Sequence, residues 1–251
     1  MLYLIGTGLY YLNDLPLRAI DKLRECDEVF LENYTNLTDI KFKDELEKEV
    51  GKKISIVGRE PVESEMIIRK AAEKNIALLV PGDPFAATTH FSLVQECKEN
   101  NIYVKVIHAS SIFSAVGETG FSLYKFGGTT SIPLYTEIFR PESFFDVIEK
   151  NIGCGYHTLV LLEVKDENKF VSPSEAEKIL KEIEKKKGEK IIDWENVIAV
   201  SRLGSEMQEI TATGKDDFQN LKPPCSLIIP GKLNENEIVA IKLIKHPVKI
   251  D

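Results

Sequence analysis

The sequence predicts two α/β domains hinged near Ala109, residues 1–109 built on a mainly parallel sheet and residues 110–251 on a mixed one. At 251 residues, 43% of them hydrophobic, the chain is long enough for one large or two medium cores. Strand and helix patterns alternate through the first half, and that order demands parallel pairing with crossover helices on both faces of the sheet. Beyond Pro133 short strand patterns are joined by tight turns, which brings in antiparallel pairing.

The elements follow in order. Leu2 to Ile5 and Glu28 to Leu31 read as strands flanking an amphipathic helix whose apolar face includes Leu17, Ile20 and Leu23. Ile54 to Val57 and Ala77 to Val80 are further strands, separated by a helical stretch around Glu65 to Glu73. A helix near His90 to Asn100 leads into the apolar run Tyr103 to Ile107. In the second half a helix near Pro141 to Asn151 precedes the strand Thr158 to Val164. Ser172-Pro-Ser-Glu175 marks the next helix: Ser172 caps a free amide, Pro173 suits the first helical position, and Glu175 can complete a capping box. Lys185-Lys-Lys187 closes that helix, where positive charge suits the carbonyl end of the dipole. Val197 to Ser201, Glu209 to Thr213 and Ser226 to Ile229 are strand candidates with turns around Gly204 and Gly214, and a last helix lies near Asn236 to Ile244.

Charge and composition exclude several classes. A net charge of -8 disfavours nonspecific binding to phosphate backbones, so nucleic acid is not the expected substrate. No apolar run reaches the roughly 18 residues of a membrane span, and no basic region followed by a cleavage site opens the chain, so a cytoplasmic protein is expected. Cys26, Cys97, Cys154 and Cys225 lie far apart and are expected to be reduced, buried thiols. Neither they nor His90, His108, His157 and His246 have zinc-ligand spacing, and no metal is expected.

The segment from Phe113 to Pro133 follows neither helical nor strand periodicity and is broken at Gly120 and at Gly127-Gly128, the pattern of a chain that shapes a site. Three turns follow predicted strands. Gly6-Thr-Gly8 stands between a strand and a helix, where glycine lets backbone amides approach a nucleotide or phosphate, although an ordinary turn has the same composition. The full dinucleotide fingerprint needs a third glycine where Tyr11 stands; Glu32, ending the next strand, still permits a nicotinamide reading. Pro81-Gly-Asp-Pro84 enforces a sharp turn that sets Asp83 at a strand's carboxyl end, either as a site residue or as the cap of a helix beginning after Pro84. Ala109-Ser-Ser-Ile112 follows the next strand, and a doubly wound sheet places all three turns beside one crevice.

With these turns the chain resembles the tetrapyrrole methylase superfamily, the class III S-adenosylmethionine methyltransferases, and within it the diphthine synthase family. The resemblance runs from Met1 nearly to the C-terminus and is carried further by Leu31-Glu-Asn-Tyr-Thr35, Ala115-Val-Gly-Glu-Thr-Gly120, Tyr124-Lys-Phe-Gly127 and Pro223-Pro-Cys-Ser-Leu-Ile-Ile-Pro-Gly231. The chain departs from that pattern at Tyr10-Tyr-Leu-Asn13 and at Cys225, which replaces a frequent histidine. The resemblance implies a homodimer that holds S-adenosyl-L-methionine in a cleft between the two domains and releases S-adenosyl-L-homocysteine. Carried over by position, the cofactor residues are Leu9, Asp83, Ala86, Ser111, Ile112, Leu162, Leu203 and Ile228; from pattern alone the last three read as core.

The implied acceptor is the amino group of the aminocarboxypropyl-modified histidine of translation elongation factor 2, methylated repeatedly to diphthine in diphthamide biosynthesis. Such a reaction needs alignment more than covalent help, and orientation can supply about 7–11 kcal/mol. An α-amine with a pKa near 8 is partly neutral at physiological pH without a strong base. Tyr124, Lys125 and Glu163 are candidate bases, none of them assigned, and glycines 117, 120 and 127 are expected to leave room for a growing ammonium group. The competing readings are a precorrin-type C-methyltransferase, a nicotinamide oxidoreductase, and a noncatalytic cofactor-binding dimer.

Overall fold

A strand covered by helices on both faces must be apolar at nearly every position, and Leu2–Gly6 and Ile76–Val80 are buried throughout. The computed structural model describes residues 1–10, 12–36, 40–166, 168–212 and 218–246. The chain divides into two compact units, Met1–Phe113 and Ser114–Asp251. Tyr11, Thr213 and Gly214 lie outside the described residues.

The first unit runs β1 (Leu2–Gly6), α1 (Leu17–Glu25), β2 (Glu28–Glu32), α2 (Ile40–Val50), β3 (Ile54–Val57), α3 (Arg59–Glu63), α4 (Met66–Glu73), β4 (Ile76–Val80), α5 (Phe91–Glu99) and β5 (Val104–Ile107). Its sheet has the order β3-β2-β4-β1-β5 with every pair parallel. Alternation along β1 and β4 divides the core in two. Leu4 and Leu78 join Ile67 and Leu93 on one face, whereas Ile5 and Leu79 join Leu23 and Leu46 on the other.

Helix α1 corrects one expectation. Leu17 is 87% exposed, and Ala19 and Leu23 carry the buried face with Ile20 packed beside them. At about 100° per residue Leu17 lies roughly 120° around the helix from Leu23, too far to share its stripe, whereas Ala19 lies about 40° away.

The second unit contains α6 (Ile112–Ala115), begun in the first, then 3₁₀ turns at Val116–Thr119 and Leu123–Lys125. It continues with β6 (Thr130–Ile132), α7 (Ser143–Gly153), β7 (Thr158–Leu162), β8 (Val164–Asp166), β9 (Lys169–Phe170), α8 (Pro173–Lys187), β10 (Ile198–Ser201), β11 (Glu209–Ala212), β12 (Cys225–Ile229) and α9 (Glu235–Lys245). Its main sheet has the order β11-β10-β12-β7-β6, parallel at β6–β7 and antiparallel elsewhere, so the fold is the α/β architecture with one parallel and one mixed sheet that the sequence predicts.

Ser172 Oγ accepts from the Glu175 amide at 3.1 Å, Pro173 opens α8, and Lys185, Lys186 and Lys187 occupy its last turn before a left-handed Gly188. Helix α9 has the complete capping box, Asn234 with Glu237. Cys26, Cys97 and Cys225 are buried and burial raises their thiols to about 11, 11 and 12, but Cys154 is exposed, against expectation, at the C-terminal cap of α7. Among the described residues no helix is long and apolar enough to cross a membrane.

Candidate functional site

Because β4, β1 and β5 are neighbours, the turns that follow them meet at one end of the first sheet. Gly8 and Gly82, both left-handed with φ near +80° and +73°, exchange two backbone hydrogen bonds, Gly8 N–H to Gly82 O at 3.1 Å and Gly82 N–H to Gly8 O at 2.8 Å. A methyl group on Gly6 would stand 2.5 Å from Gly82 O and 2.9 Å from Ala109 Cβ, so the third turn closes on the first two. Only glycine allows that approach. Asp14 Oδ2 fixes the first turn from behind, accepting the amides of Leu9 at 3.2 Å and Tyr10 at 2.8 Å.

Asp83 ties the second turn to the third. Its Oδ1 accepts the Phe85 amide at 3.0 Å, and its Oδ2 accepts the Ala109 amide at 3.2 Å and lies 2.8 Å from His108 Nδ1. It does not cap a helix directly after Pro84, because α5 begins only at Phe91. Ala86 donates its amide to Asp83 O at 3.1 Å, while Ser111 is buried and faces the missing side chain of Gly82 across 3.8 Å.

A buried polar group stands at the end of β2, next to β4. Glu32 and His90 are 0% and 2% exposed, with His90 Nε2 3.1 Å from Glu32 Oε2 and 3.2 Å from the Tyr34 hydroxyl. Thr35 Oγ1 donates to Glu32 Oε1. Burial, then the Glu32 charge, pushes the Tyr34 phenol upward. Glu32, which kept a nicotinamide reading open in the sequence, has its carboxylate engaged by protein side chains.

In the second unit Leu162 points into the core of α7, α8 and the sheet, with Phe144 and Val160. Ile228 and Leu203 are equally buried but lie outside that cluster; along β12 Leu227 and Ile229 face it and Ile228 alternates away. Lys125 Nζ pairs with Glu237 Oε2 and donates to Lys232 O at 2.6 Å, so its donors are engaged within the second unit. Glu163 Oε2 accepts the Leu134 amide at 2.6 Å, and Tyr124 is 98% exposed.

The glycines expected to leave room for the acceptor do not do so. The Cβ that Gly120 lacks would stand 2.6 Å from Ala240 Cβ, and that of Gly127 2.2 Å from Asn151 Oδ1, so both vacancies are filled by neighbouring helices; Gly117 meets Leu123 at ordinary contact distance. Sequence reading missed the His157–Glu237 pair altogether. Its one signal was Asn234-Glu-Asn-Glu237, a capping box whose acid also reaches inward.

The parallel sheet with three turns closed on its carboxyl edge is a frame for a nucleotide-like cofactor. The chain matches the family described as Tetrapyrrole (Corrin/Porphyrin) Methylases over residues 1–217 and belongs to it. It is 40% identical to a diphthine synthase of Methanococcus vannielii, with 97% of this chain and 98% of that protein covered. It is 39% identical to a diphthine methyl ester synthase of Candida glabrata, over 92% of this chain and 85% of that one. A crystal structure of an Entamoeba histolytica chain described as a diphthine synthase superposes with a TM-score of 0.85 at 34% identity, 99% of each chain being covered. The protein is accordingly a methyltransferase that draws on a methyl donor of the S-adenosylmethionine type.

Proposed function

We propose that the protein transfers methyl groups from S-adenosyl-L-methionine to the amino group of the aminocarboxypropyl-modified histidine of translation elongation factor 2, the methylation step of diphthamide biosynthesis. The observation that carries this reading is the 40% identity to a diphthine synthase over 97% of the chain. The same reading includes a homodimer and a cytoplasmic location.

The first unit's turns suit such a donor. They offer backbone groups and small or apolar side chains and leave, in front of Gly82, a cradle that a Cβ would occupy. Leu9, Asp83, Ala86, Ser111 and Ile112 are the first unit's residues proposed to hold it. The bound sulfonium supplies an activated methyl group and a neutral leaving group. Asp14 and Asp83 keep the turns in register, and the acceptor amine loses its proton to solvent, since its ordinary pKa near 8 leaves a reactive neutral fraction.

The test is transfer of labelled methyl groups from S-adenosylmethionine to elongation factor 2 carrying the aminocarboxypropyl histidine, with a precorrin as competitor. Label on the elongation factor is the expected result, and label on the precorrin alone overturns the reading. The relatives' two names differ by a methyl ester. Mild alkali removes an ester methyl and leaves methyls on nitrogen, so counting methyl groups before and after such treatment distinguishes the products. Gly6→Ala, whose Cβ would meet Gly82 O at 2.5 Å, is expected to weaken donor binding at least about tenfold, measured by calorimetry.

A further inference from the structure

Three aromatic rings stand exposed beside Asp83. Phe85 is 37% and Phe91 63% exposed, and the His108 side chain is 61% exposed. Phe85 is the centre of the group: its ring is 6.0 Å from that of Phe91 at 67° and 5.9 Å from that of His108 at 69°. Asp83 orients the His108 ring directly and fixes the Phe85 backbone through its amide. Steeply inclined rings with a carboxylate at their base have no role in the core of the first unit, since none of the three belongs to its apolar clusters. A contiguous exposed aromatic surface of this kind points to a binding surface.

We propose that the rings of Phe85, Phe91 and His108, with the Asp83 carboxylate at their base, bind the methylated ammonium formed on the acceptor and so determine how far successive transfers run. The proposal rests on the reading of the protein as a repeated N-methyltransferase. Each methyl group that replaces an N–H makes the cation larger and more weakly hydrated. It then loses less in leaving water and gains the attraction of the ring faces for positive charge, the basis of quaternary ammonium recognition by aromatic side chains. The early products still carry a proton, which passes to solvent before the next transfer. The fully methylated nitrogen keeps its charge permanently. A site of this kind retains partly methylated acceptor better than unmethylated acceptor and thereby favours completion.

The test is a mass-spectrometric time course of elongation factor 2 methylation by the full chain, comparing wild type, the double variant Phe85→Leu/Phe91→Leu, the single variant His108→Leu, and Phe85→Tyr/Phe91→Tyr. The leucine variants are expected to accumulate early methylation products, the later transfers slowing roughly 3- to 10-fold more than the first, and the tyrosine variant to restore completion. Equal slowing of every step in the leucine variants, or no slowing, overturns the proposal while leaving the methyltransferase reading intact. Absence of transfer by the wild type removes that reading and the proposal with it.

Discussion

In each unit a carboxylate oxygen stands 3.1 Å from a histidine Nε2, Glu32 from His90 in the first and Glu237 from His157 in the second, and the second pair is hydrogen-bonded. Their surroundings differ. His157 Nδ1 accepts the Gly231 amide at 3.0 Å, so its proton is on Nε2 and the ring is neutral; burial lowers its pKa. Glu237 also accepts the amides of Asn234 at 2.9 Å and Ser122 at 3.4 Å and pairs with Lys125, and its carboxyl lies at about 2. That figure nets burial, the largest contribution, which raises the pKa, against these partners, which together outweigh it. In the first unit Glu32 is held by neutral donors, Thr35 and Tyr34, while His90 Nδ1 finds no hydrogen-bond partner among the described residues. One network is anchored on a cation and on backbone amides. The other depends on neutral hydroxyls.

The largest consequence is expected at Glu237. Replacing it with alanine leaves the Lys125 ammonium, the His157 N–H and two amides without their acceptor, and breaking a buried pair from one side costs about 3–5 kcal/mol. Lys125 keeps 27% exposure and the Lys232 carbonyl, so the lower end of that range is expected, read from denaturant midpoints of Glu237→Ala. A loss below about 1 kcal/mol would mean that the cation adds nothing, removing the distinction between the two networks.

The comparison also separates what the sequence makes visible from what it hides. The parallel sheet is legible because apolar strands covered on both faces leave continuous runs such as Ile76–Val80. Helix α2 carries an equally plain signal, Phe42, Leu46 and Val50 at helical spacing, all buried, and it escaped because neighbouring lysines and glutamates dominate the stretch. Asp83 is conspicuous in its turn, but its partners are not, since His108 lies 25 residues away. Gly120 and Gly127 teach the complementary lesson. A glycine reports that a side chain is missing and not what fills its place, and here Ala240 and Asn151 do so rather than a substrate.

A smaller effect is expected at His90. With leucine in its place Glu32 keeps the Thr35 and Tyr34 hydroxyls, so the carboxylate stays hydrogen-bonded and the loss should be about 1–2 kcal/mol. The same chemical deletion thus costs less where the partners are neutral and replaceable. A denaturant midpoint for His90→Leu falling as far as that of Glu237→Ala would show that both histidine–glutamate networks are equally anchored.

Acid titration sharpens the contrast with the least perturbation. The folded pKa of His157 lies below its ordinary 6.5, so the unfolded chain binds this proton more readily and stability begins to fall as pH drops below that value. Glu237, lowered from 4.5 to about 2, contributes stability that is complete above 4.5 and is lost as pH falls from there toward 2. This network therefore contributes two successive losses to the acid branch, alongside those of Glu28 and Glu47 in the first unit, whose carboxyls hydrogen bonds also hold below their ordinary value. Glu237→Gln is expected to remove the lower one, because glutamine has no proton to gain. Unfolding midpoints measured from about pH 3 to pH 8 provide the check. An acid branch unchanged by Glu237→Gln would move the source of acid sensitivity away from this network.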